Sequence, residues 1–507
     1  MGAGMALCLI YVLLAGRLFA ASVFGDRPEL ESLRRAARLD PGDADYQNRL
    51  GRYYALVARD PGAAVEPYRA ALQLNPHSAH YWFDLATAYQ VLGDSSNQTS
   101  ALEHAIEADP TTPDVAWEAA NNYQVQGDTE KSLREYGVVL ANEPSLAGLA
   151  IQHCWRMNPD VDALLRDVVP VRSEAYIAFL NLLMTPKKVA LNMTTPPAHT
   201  RGGRWMYTLA DTDSGAASNA WVNALVTISG YAGAAAGNNV TATITASTPT
   251  TIEIANPSGT TAHAGEPVLM ISRVVADSPA PSANGPLRET AATAKVWAAL
   301  MASPQAFEQR YVYAYIQYLF DHTDVEQASL AWRQATSRFG LSGYLPTGRN
   351  LIVNGDFSLE VLNGGFDWQY QKQQAVTLTL DPREHQGGGN RSLLIAFEGT
   401  GVSDAGIREF IAVEPATTYD FSAYYKNGNF EGAGGPHLTI QDAYTQAVLY
   451  DSDELKEAGE TWKLLNGKFD TGANCKLLVL QVRRLPAGSP IRGKLWVDDF
   501  RLVAKRQ

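Results

Sequence analysis

The sequence predicts a multidomain chain: an all-α helical solenoid, interrupted by a small all-β insert and followed by an all-β sandwich. Three observations predict it. Pro41, Pro76, Pro110 and Pro144 recur 35, 34 and 34 residues apart, with amphipathic stretches of helical period between them. Charged side chains thin out between residues 186 and 289, where short segments alternate apolar and hydroxyl residues. Beyond Gly348 the helical period gives way to about seven alternating stretches bounded by Gly and Pro. A chain of 507 residues is long enough for about three domains. The net charge of -12, with no dense basic block, excludes a protein that grips nucleic acid through its phosphates. Cys8, Cys154 and Cys475 stand too far apart for a disulfide framework or a cysteine-based zinc site.

The first element, residues 1–25, is apolar. Ala3 to Phe24 carries one charge, Arg17, and is long enough to cross a bilayer. A cleaved signal is the competing reading, but no positive stretch precedes the apolar run, and cleavage after Ala21 would leave bulky Phe19 at the −3 place. Leu7 before Cys8 is too large for a lipoprotein signal. Arg27, Arg34 and Arg35 all follow the span, so counting positive charges keeps the body in the cytoplasm. Only the domain types that follow argue for the exported side.

Residues 28–185 hold the repeat. Each proline closes one helix pair, since it cannot donate to the preceding turn, and Gly93-Asp94 and Gly127-Asp128 separate the two helices of a pair. One unit places Trp82, Leu85, Ala86 and Tyr89 on its first helix, then Leu102, Ala105 and Pro110. The unit before it has Leu50, Gly51 and Tyr54, then Ala64, Tyr68, Ala71 and Pro76; the unit after has Ala119, Ala120, Tyr123, Tyr136 and Pro144. This pattern resembles the tetratricopeptide repeat. The small residues let paired helices approach, and the aromatics fill the gaps between units. The resemblance implies a concave surface that holds a partner protein, with His80, Phe83, Thr87 and Gln90 pointing into it.

Helical patterning resumes at Val171–Leu183, stops, and returns with Thr293, Trp297 and Leu300 and again with Ala328, Trp332 and Ala335. The array therefore continues over 290–342, and residues 186–289 are an insertion at one inter-helix turn, a place that tolerates added chain. Within it Val226–Gly230, Asn239–Thr245 and Thr251–Ile254 predict an antiparallel sheet exposed on one face. Asp211 and Asp213 open what looks like a calcium loop, but Gly215 stands where a ligand belongs, so the segment reads as a turn. Pro279–Pro286 reads as a linker.

The last element spans 346–507. Its predicted strands are 376–380, 392–397, 418–425, 437–441, 463–469, 476–483 and 494–502. Asn350 to Phe357 (NLIVNGDF), Gly364 to Trp368 (GGFDW), Val413 to Pro415 with Tyr419, Trp462, and Leu495 to Phe500 (LWVDDF) follow in order. That set resembles the jelly-roll carbohydrate-binding modules of families four and nine, within the galactose-binding-like fold. The alternation sends Ser422, Tyr424 and Lys426, His437, Thr439 and Gln441, and Val479, Gln481 and Arg483 outward. A sugar needs an aromatic plane and planar hydrogen-bond partners. If these sets share one sheet, Tyr424, Gln441, Gln481 and Arg483 form such a strip, with Trp368 and Tyr370 as a second platform and Trp462 and Trp496 as core. The resemblance also implies a structural Ca²⁺ beside Asp356 and Asp498, with Glu360, although Ser358 stands where relatives carry Glu.

No metalloprotease, nucleophile-elbow or phosphate-loop motif occurs. The sequence thus leads to a non-catalytic envelope scaffold in a bacterial inner membrane, with its body on the periplasmic or exported side. The repeats bind a protein and the sandwich a polysaccharide, as in exopolysaccharide or envelope assembly. A pure protein-interaction adaptor capped by the sandwich, and a surface adhesin working through the insert, are the alternatives.

Overall fold

The computed structural model describes residues 2–200, 202–210, 221–222, 224–272, 288–456, 459, 461–484 and 487–505. The Asp211–Gly215 turn and the Pro279–Pro286 linker lie outside the described residues. The chain forms two compact units, one built from Met1–Leu182 and the other beginning at Leu183.

The first unit is helical. Helix α1 (Gly2–Gly25) contains an apolar stretch, Cys8–Gly25, with a mean hydropathy of 1.9, long and apolar enough to cross a membrane. Leu9, Leu13 and Phe19 on it are exposed. There follow α2 (Leu30–Leu39), α3 (Ala44–Arg52, continued by a wide turn over Tyr53–Val57), α4 (Pro61–Leu74), α5 (Ala79–Leu92), α6 (Ser95–Ala108), α7 (Pro113–Gln126), α8 (Thr129–Asn142), α9 (Ala147–Met157), α10 (Val161–Asp167) and α11 (Ser173–Met184). Helices α4 to α8 are each 14 residues long. Consecutive helices pack in antiparallel pairs around Tyr68, Leu72, Phe83, Leu85, Tyr89, Leu102 and Tyr123. Gly51 lies against the Tyr68 ring with no room for a side chain, which is why a small residue recurs at that place.

The inter-helix turns explain the register. Gly93 and Gly127 end α5 and α7 in the left-handed conformation (φ 73° and 80°). The next residue caps the following helix: Asp94 accepts from the Asn97 backbone N–H and Asp128 from that of Lys131, at 3.2 and 3.1 Å. One repeat earlier Asp60 accepts from Ala63, but Arg59 takes the left-handed position with φ 55°. A non-glycine residue there is strained.

The second unit contains the insert, three helices and the sandwich. Strands β1 (Lys187–Ala190), β2 (Ala198–His199), β3 (Trp205–Thr208), β4 (Leu225–Tyr231), β5 (Val240–Ser247), β6 (Thr251–Ile254) and β7 (Gly265–Ile271) form an antiparallel sheet of order β1-β7-β4-β5-β6-β3-β2. A Leu191–Leu209 bridge, with backbone bonds from Asn192 to Thr208 and from Ala210 to Ala190 (2.9 and 2.8 Å), joins β1 back to β3. The three expected strands are therefore the middle of a small closed barrel. Its interior holds Val226, Ile228, Ile244, Ile252 and Leu269.

Helices α12 (Arg288–Ala302), α13 (Gln309–Asp321) and α14 (Val325–Phe339) follow. Trp297 and Trp332 are both buried on α12 and α14. The α13–α14 turn repeats the earlier device, with Thr323 left-handed (φ 58°) and Asp324 capping through the Gln327 N–H.

The sandwich comprises β8 (Gln369–Tyr370), β9 (Val376–Asp381), β10 (Ser392–Gly401), β11 (Asp404–Ala412), β12 (Thr418–Gly432), β13 (Pro436–Asp442), β14 (Val448–Asp451), β15 (Lys463–Asp470), β16 (Leu477–Arg484) and β17 (Pro490–Ala504). One sheet has the order β15-β12-β17-β10-β9 and the other β14-β13-β16-β11-β8. All seven predicted strands are present; β8, β11 and β14 are additional. Between the sheets lie Leu393, Ile395, Phe421, Leu438, Leu480, Leu495 and Val497.

Helices α13 and α14 pack on the outside of the β11-containing sheet. Phe320 of α13 meets Phe410 of β11 and Phe366 of the opening segment, with ring centroids 5.0 Å apart in both cases. Gly364 and Gly365 lie against Tyr313 and Trp332, and Gly365 is left-handed (φ 65°), so a side chain at either would strike an aromatic ring.

Two consequences are measurable by denaturant unfolding. Phe320→Ala should cost about 3 kcal/mol in the unfolding of the second unit, by opening a cavity in this aromatic contact. Arg59→Gly should stabilise the helical unit by about 1 kcal/mol through relief of left-handed strain.

Candidate functional site

Alternation along a strand decides which side chains leave the core, and topology decides which sheet they leave from. Tyr424 projects from β12, in the β12–β17 sheet, whereas Gln441, Gln481 and Arg483 project from β13 and β16, in the other. The expected strip is therefore split between opposite sides of the sandwich. Gln441 and Gln481 are also buried, at 6% and 9% exposure, because their face is the one that receives α13 and α14. Gln441 Nε2 donates to Gln446 Oε1 at 2.9 Å, and Arg483 is half-buried.

The expected second platform is core. Trp368 is 1% exposed, packs against Phe357 and Phe500, and donates Nε1 to the Asn354 carbonyl at 3.2 Å. Tyr370 on β8 packs against the same core. Trp462 and Trp496, expected as core, are half-buried instead.

The outer face of the β12–β17 sheet holds the better constellation. Leu495 and Val497 of β17 are buried, so Trp496 between them faces out. Its cross-strand neighbour is Lys426 of β12, two residues beyond Tyr424 on the same face. The Lys426 ammonium lies 5.5 Å from the Trp496 ring centroid and 2.8 Å from Glu384. Trp496 Nε1 donates to Asp381 Oδ2 at 2.9 Å, fixing the indole. Partial burial alone would raise the Asp381 carboxyl, but the bonds from Trp496 and from the Arg383 and Glu384 backbone hold it below its usual range. Thr377 and Thr379 of β9 are exposed beside it. The arrangement offers an oriented aromatic ring, a second aromatic at Tyr424, and carboxylate, ammonium and hydroxyl partners around them. The sequence signal for Trp496 was the alternation of Leu495 and Val497, outweighed by its place in a fold motif.

The structure brings Asp356 and Asp498 near each other, while Glu360 is drawn to a different partner. Glu360 pairs with Arg391 at 2.7 Å. The same guanidinium donates to the Phe357 and Ser358 carbonyls at 2.9 and 3.3 Å. Asp356 accepts from the Ser358 N–H, and Asp498 accepts from the backbone N–H groups of Gln386 and Asp499 at 2.6 and 2.7 Å. Among the described residues no group of three or more His, Cys, Asp or Glu side chains is placed to hold a metal ion. Glu360 thus does not fit a shell with Asp356 and Asp498, and Arg391 supplies positive charge at the opening loop.

Three carboxyls lie deep in the sandwich. Burial pushes Asp498 up to about 7, helped by the nearby Asp499 and Asp356 charges. Asp367, which accepts from the Leu362 N–H at 2.6 Å, is also pushed by burial to about 7. Glu409 of β11 is fully buried, accepts from the Val353 N–H at 2.7 Å, and is raised well above its ordinary value.

In the helical unit, His80, Thr87 and Gln90 are exposed on α5. Phe83 is not: at 2% exposure it belongs to the inter-helix core. The adjacent His153 and Cys154 serve packing. The Tyr136 hydroxyl lies 3.0 Å from His153 Nδ1 and donates to Asn121 at 2.7 Å, tying α8, α9 and α7 together. Cys154 is buried, which pushes its thiol up to about 12.

No family model matches the sequence, and no curated protein matches it. Solved structures resemble parts of it. A crystal structure of the MamA protein is 16% identical over 29% of this chain and 87% of its own, with a TM-score of 0.25. A family-four carbohydrate-binding module (CBM4) is 13% identical over 30% of this chain and 99% of its own, with a TM-score of 0.23. A family-16 carbohydrate-binding module is 19% identical over 30% and 99%, with a TM-score of 0.22.

The buried carboxyls set a pH dependence. Asp367 titrates near 7 when folded and near 3.9 when unfolded. Between those values the folded chain keeps a proton that the unfolded chain has released. The contribution is therefore fully present below about pH 4, declines as pH rises to about 7, and is flat above. Thermal unfolding of the second unit should show a lower midpoint at pH 8 than at pH 5, and Asp367→Asn should flatten that slope.

Proposed function

We propose that the chain is a membrane-anchored scaffold with no catalytic activity of its own. In this reading the helical array is a tetratricopeptide-type platform that docks a partner protein. The sandwich is a carbohydrate-binding-type module that holds a polysaccharide on the outer face of its β12–β17 sheet. The single observation that carries the sugar reading is the Trp496 indole on an open sheet face, oriented by Asp381 and flanked by Lys426, Glu384 and Tyr424. A pyranose ring lays its C–H face on such an indole, and its hydroxyls need the charged and hydroxyl partners around it. The Arg391 contacts support a module that binds without calcium. The apolar helix α1 supports an anchor. We place the body on the periplasmic or exported side of a bacterial inner membrane, in exopolysaccharide or envelope assembly, because a polysaccharide ligand and a protein-docking array suit that setting.

A second reading has its own observation. Phe320, Phe366 and Phe410 join the sandwich to α13 and α14, as expected of a cap that closes a helical array in a protein-interaction adaptor. The test separates the two. The full chain would be run through gels containing a panel of bacterial and plant polysaccharides, with and without Ca²⁺. Binding to at least one glycan, weakened tenfold or more by Trp496→Ala and by Tyr424→Ala, untouched by Arg483→Ala and indifferent to Ca²⁺, is the expected result. A well-folded protein retarded by none of them would sink the sugar reading and leave the cap.

A further inference from the structure

The helical unit carries a repeated feature that the fold does not require. Asp84 of α5 and Glu118 of α7 stand 34 residues apart, at the same place in successive repeats. Both are half-buried, and burial raises both above the usual carboxylate range, offset in part by Asn48, Arg52 and His80 at Asp84 and by His80 at Glu118. Among the described residues neither forms an ion pair. Asp84 accepts a hydrogen bond from Asn48 Nδ2 on α3, at 2.9 Å. Asn48 is 4% exposed, and its own Oδ1, beside that carboxylate, has no donor. Half-burying two carboxylates that have no ion-pair partner, beside an unsatisfied amide oxygen, is costly unless a compensating charge is supplied.

A second row runs alongside. Seven residues after each acid, and so on the same helix face about 10 Å further along, stand Val91 and Val125, at 68% and 71% exposure. Leu56, at 66%, holds the corresponding place in the preceding repeat. Singly such residues are ordinary; recurring at the repeat period beside an acidic row, they make a patterned surface.

We propose that this face binds a basic polypeptide segment of a partner protein, whose Lys or Arg side chains reach Asp84 and Glu118 while its aliphatic side chains cover Val91 and Val125. The inference rests on the reading of the array as a protein-docking platform and names the partner's chemistry. A cation brings Asp84 and Glu118 the ion-pair partner and N–H donors that a charge-assisted hydrogen bond needs. The two carboxylates disfavour an acidic segment on the same face.

The test uses the full chain and a fluorescent helical peptide of 18 residues built from Lys and Leu, with a Glu-for-Lys version as its counterpart. Saturable binding of the Lys peptide alone is expected, weakened tenfold or more by Asp84→Asn with Glu118→Gln and severalfold by Val91→Ser with Val125→Ser. Glu66→Gln with Glu130→Gln removes the same charge from exposed positions and should leave binding unchanged. Equal weakening by both charge-removing pairs would reduce the effect to the protein's overall acidity and overturn the proposal, as would no binding. A photo-crosslinker at Thr87, used in cells, separates the two levels. Crosslinking to a partner that persists in the Asp84→Asn, Glu118→Gln chain would overturn the charge inference and leave the platform standing. Its absence from the native chain would sink both.

Discussion

The sandwich has two outer faces, and one aromatic contact determines which of them the last helix pair covers. Phe320 of α13 sits against Phe366 and Phe410, while Trp332 of α14 lies over Gly365 and donates its Nε1 to the Tyr344 carbonyl at 2.8 Å. A phenylalanine facing out of a sheet is an exposed apolar group unless something covers it, and here the last helix pair does. The cost is that polar groups on the same face, Thr439, Gln441 and Gln481, are buried with it. The opposite face keeps Thr377, Thr379 and Lys494 exposed, with Trp496 and Lys426 half-buried among them. Helix docking is thereby confined to one sheet, and the other keeps its outer face uncovered by these helices.

The helical unit follows a comparable division of labour. Its period is fixed by backbone chemistry at the turns, where a left-handed glycine and a capping aspartate recur, and by small residues where helices must touch. Those positions leave the exposed face of each first helix free to vary. Acid and aliphatic residues recurring on it at the same interval are therefore not demanded by the repeat's own architecture. A pattern that the fold does not need is the physical ground for treating that face as a recognition surface.

How much of this was legible in the sequence depends on whether the controlling interaction was local. The repeat was readable because prolines, glycines and alanines act within one or two turns. The sandwich was readable as a set of alternating strands, but β11 was not. It turns Glu409 inward, where the Val353 N–H receives it, and Phe410 outward, where Phe320 covers it, so both break the expected alternation. Alternation sends Tyr424, Gln441, Gln481 and Arg483 outward but says nothing about which sheet a strand joins; that is decided by pairings between residues 36 to 85 positions apart. Phe83 was misplaced for the converse reason, since helix spacing alone does not tell a groove from an inter-helix seam. Trp496 was hidden by its membership of a motif whose neighbours are core.

The opening loop shows how one charge can replace another. The chain from Asn354 to Glu360 turns sharply, with Asn354 and Phe357 left-handed, and aims carbonyls and carboxylates towards the loop before β10. A concentration of oxygens like that needs a positive partner. Arg391 provides one from within the chain, taking the Phe357 and Ser358 carbonyls and the Glu360 carboxylate in a single planar fork. Asp498 and Asp499 are met instead by backbone N–H groups and by Arg501, whose guanidinium lies 3.0 Å from Asp499. The acids of this loop are thereby met by tethered donors. This loop adjoins the end of the β12–β17 face where Tyr424 pairs opposite Asp498.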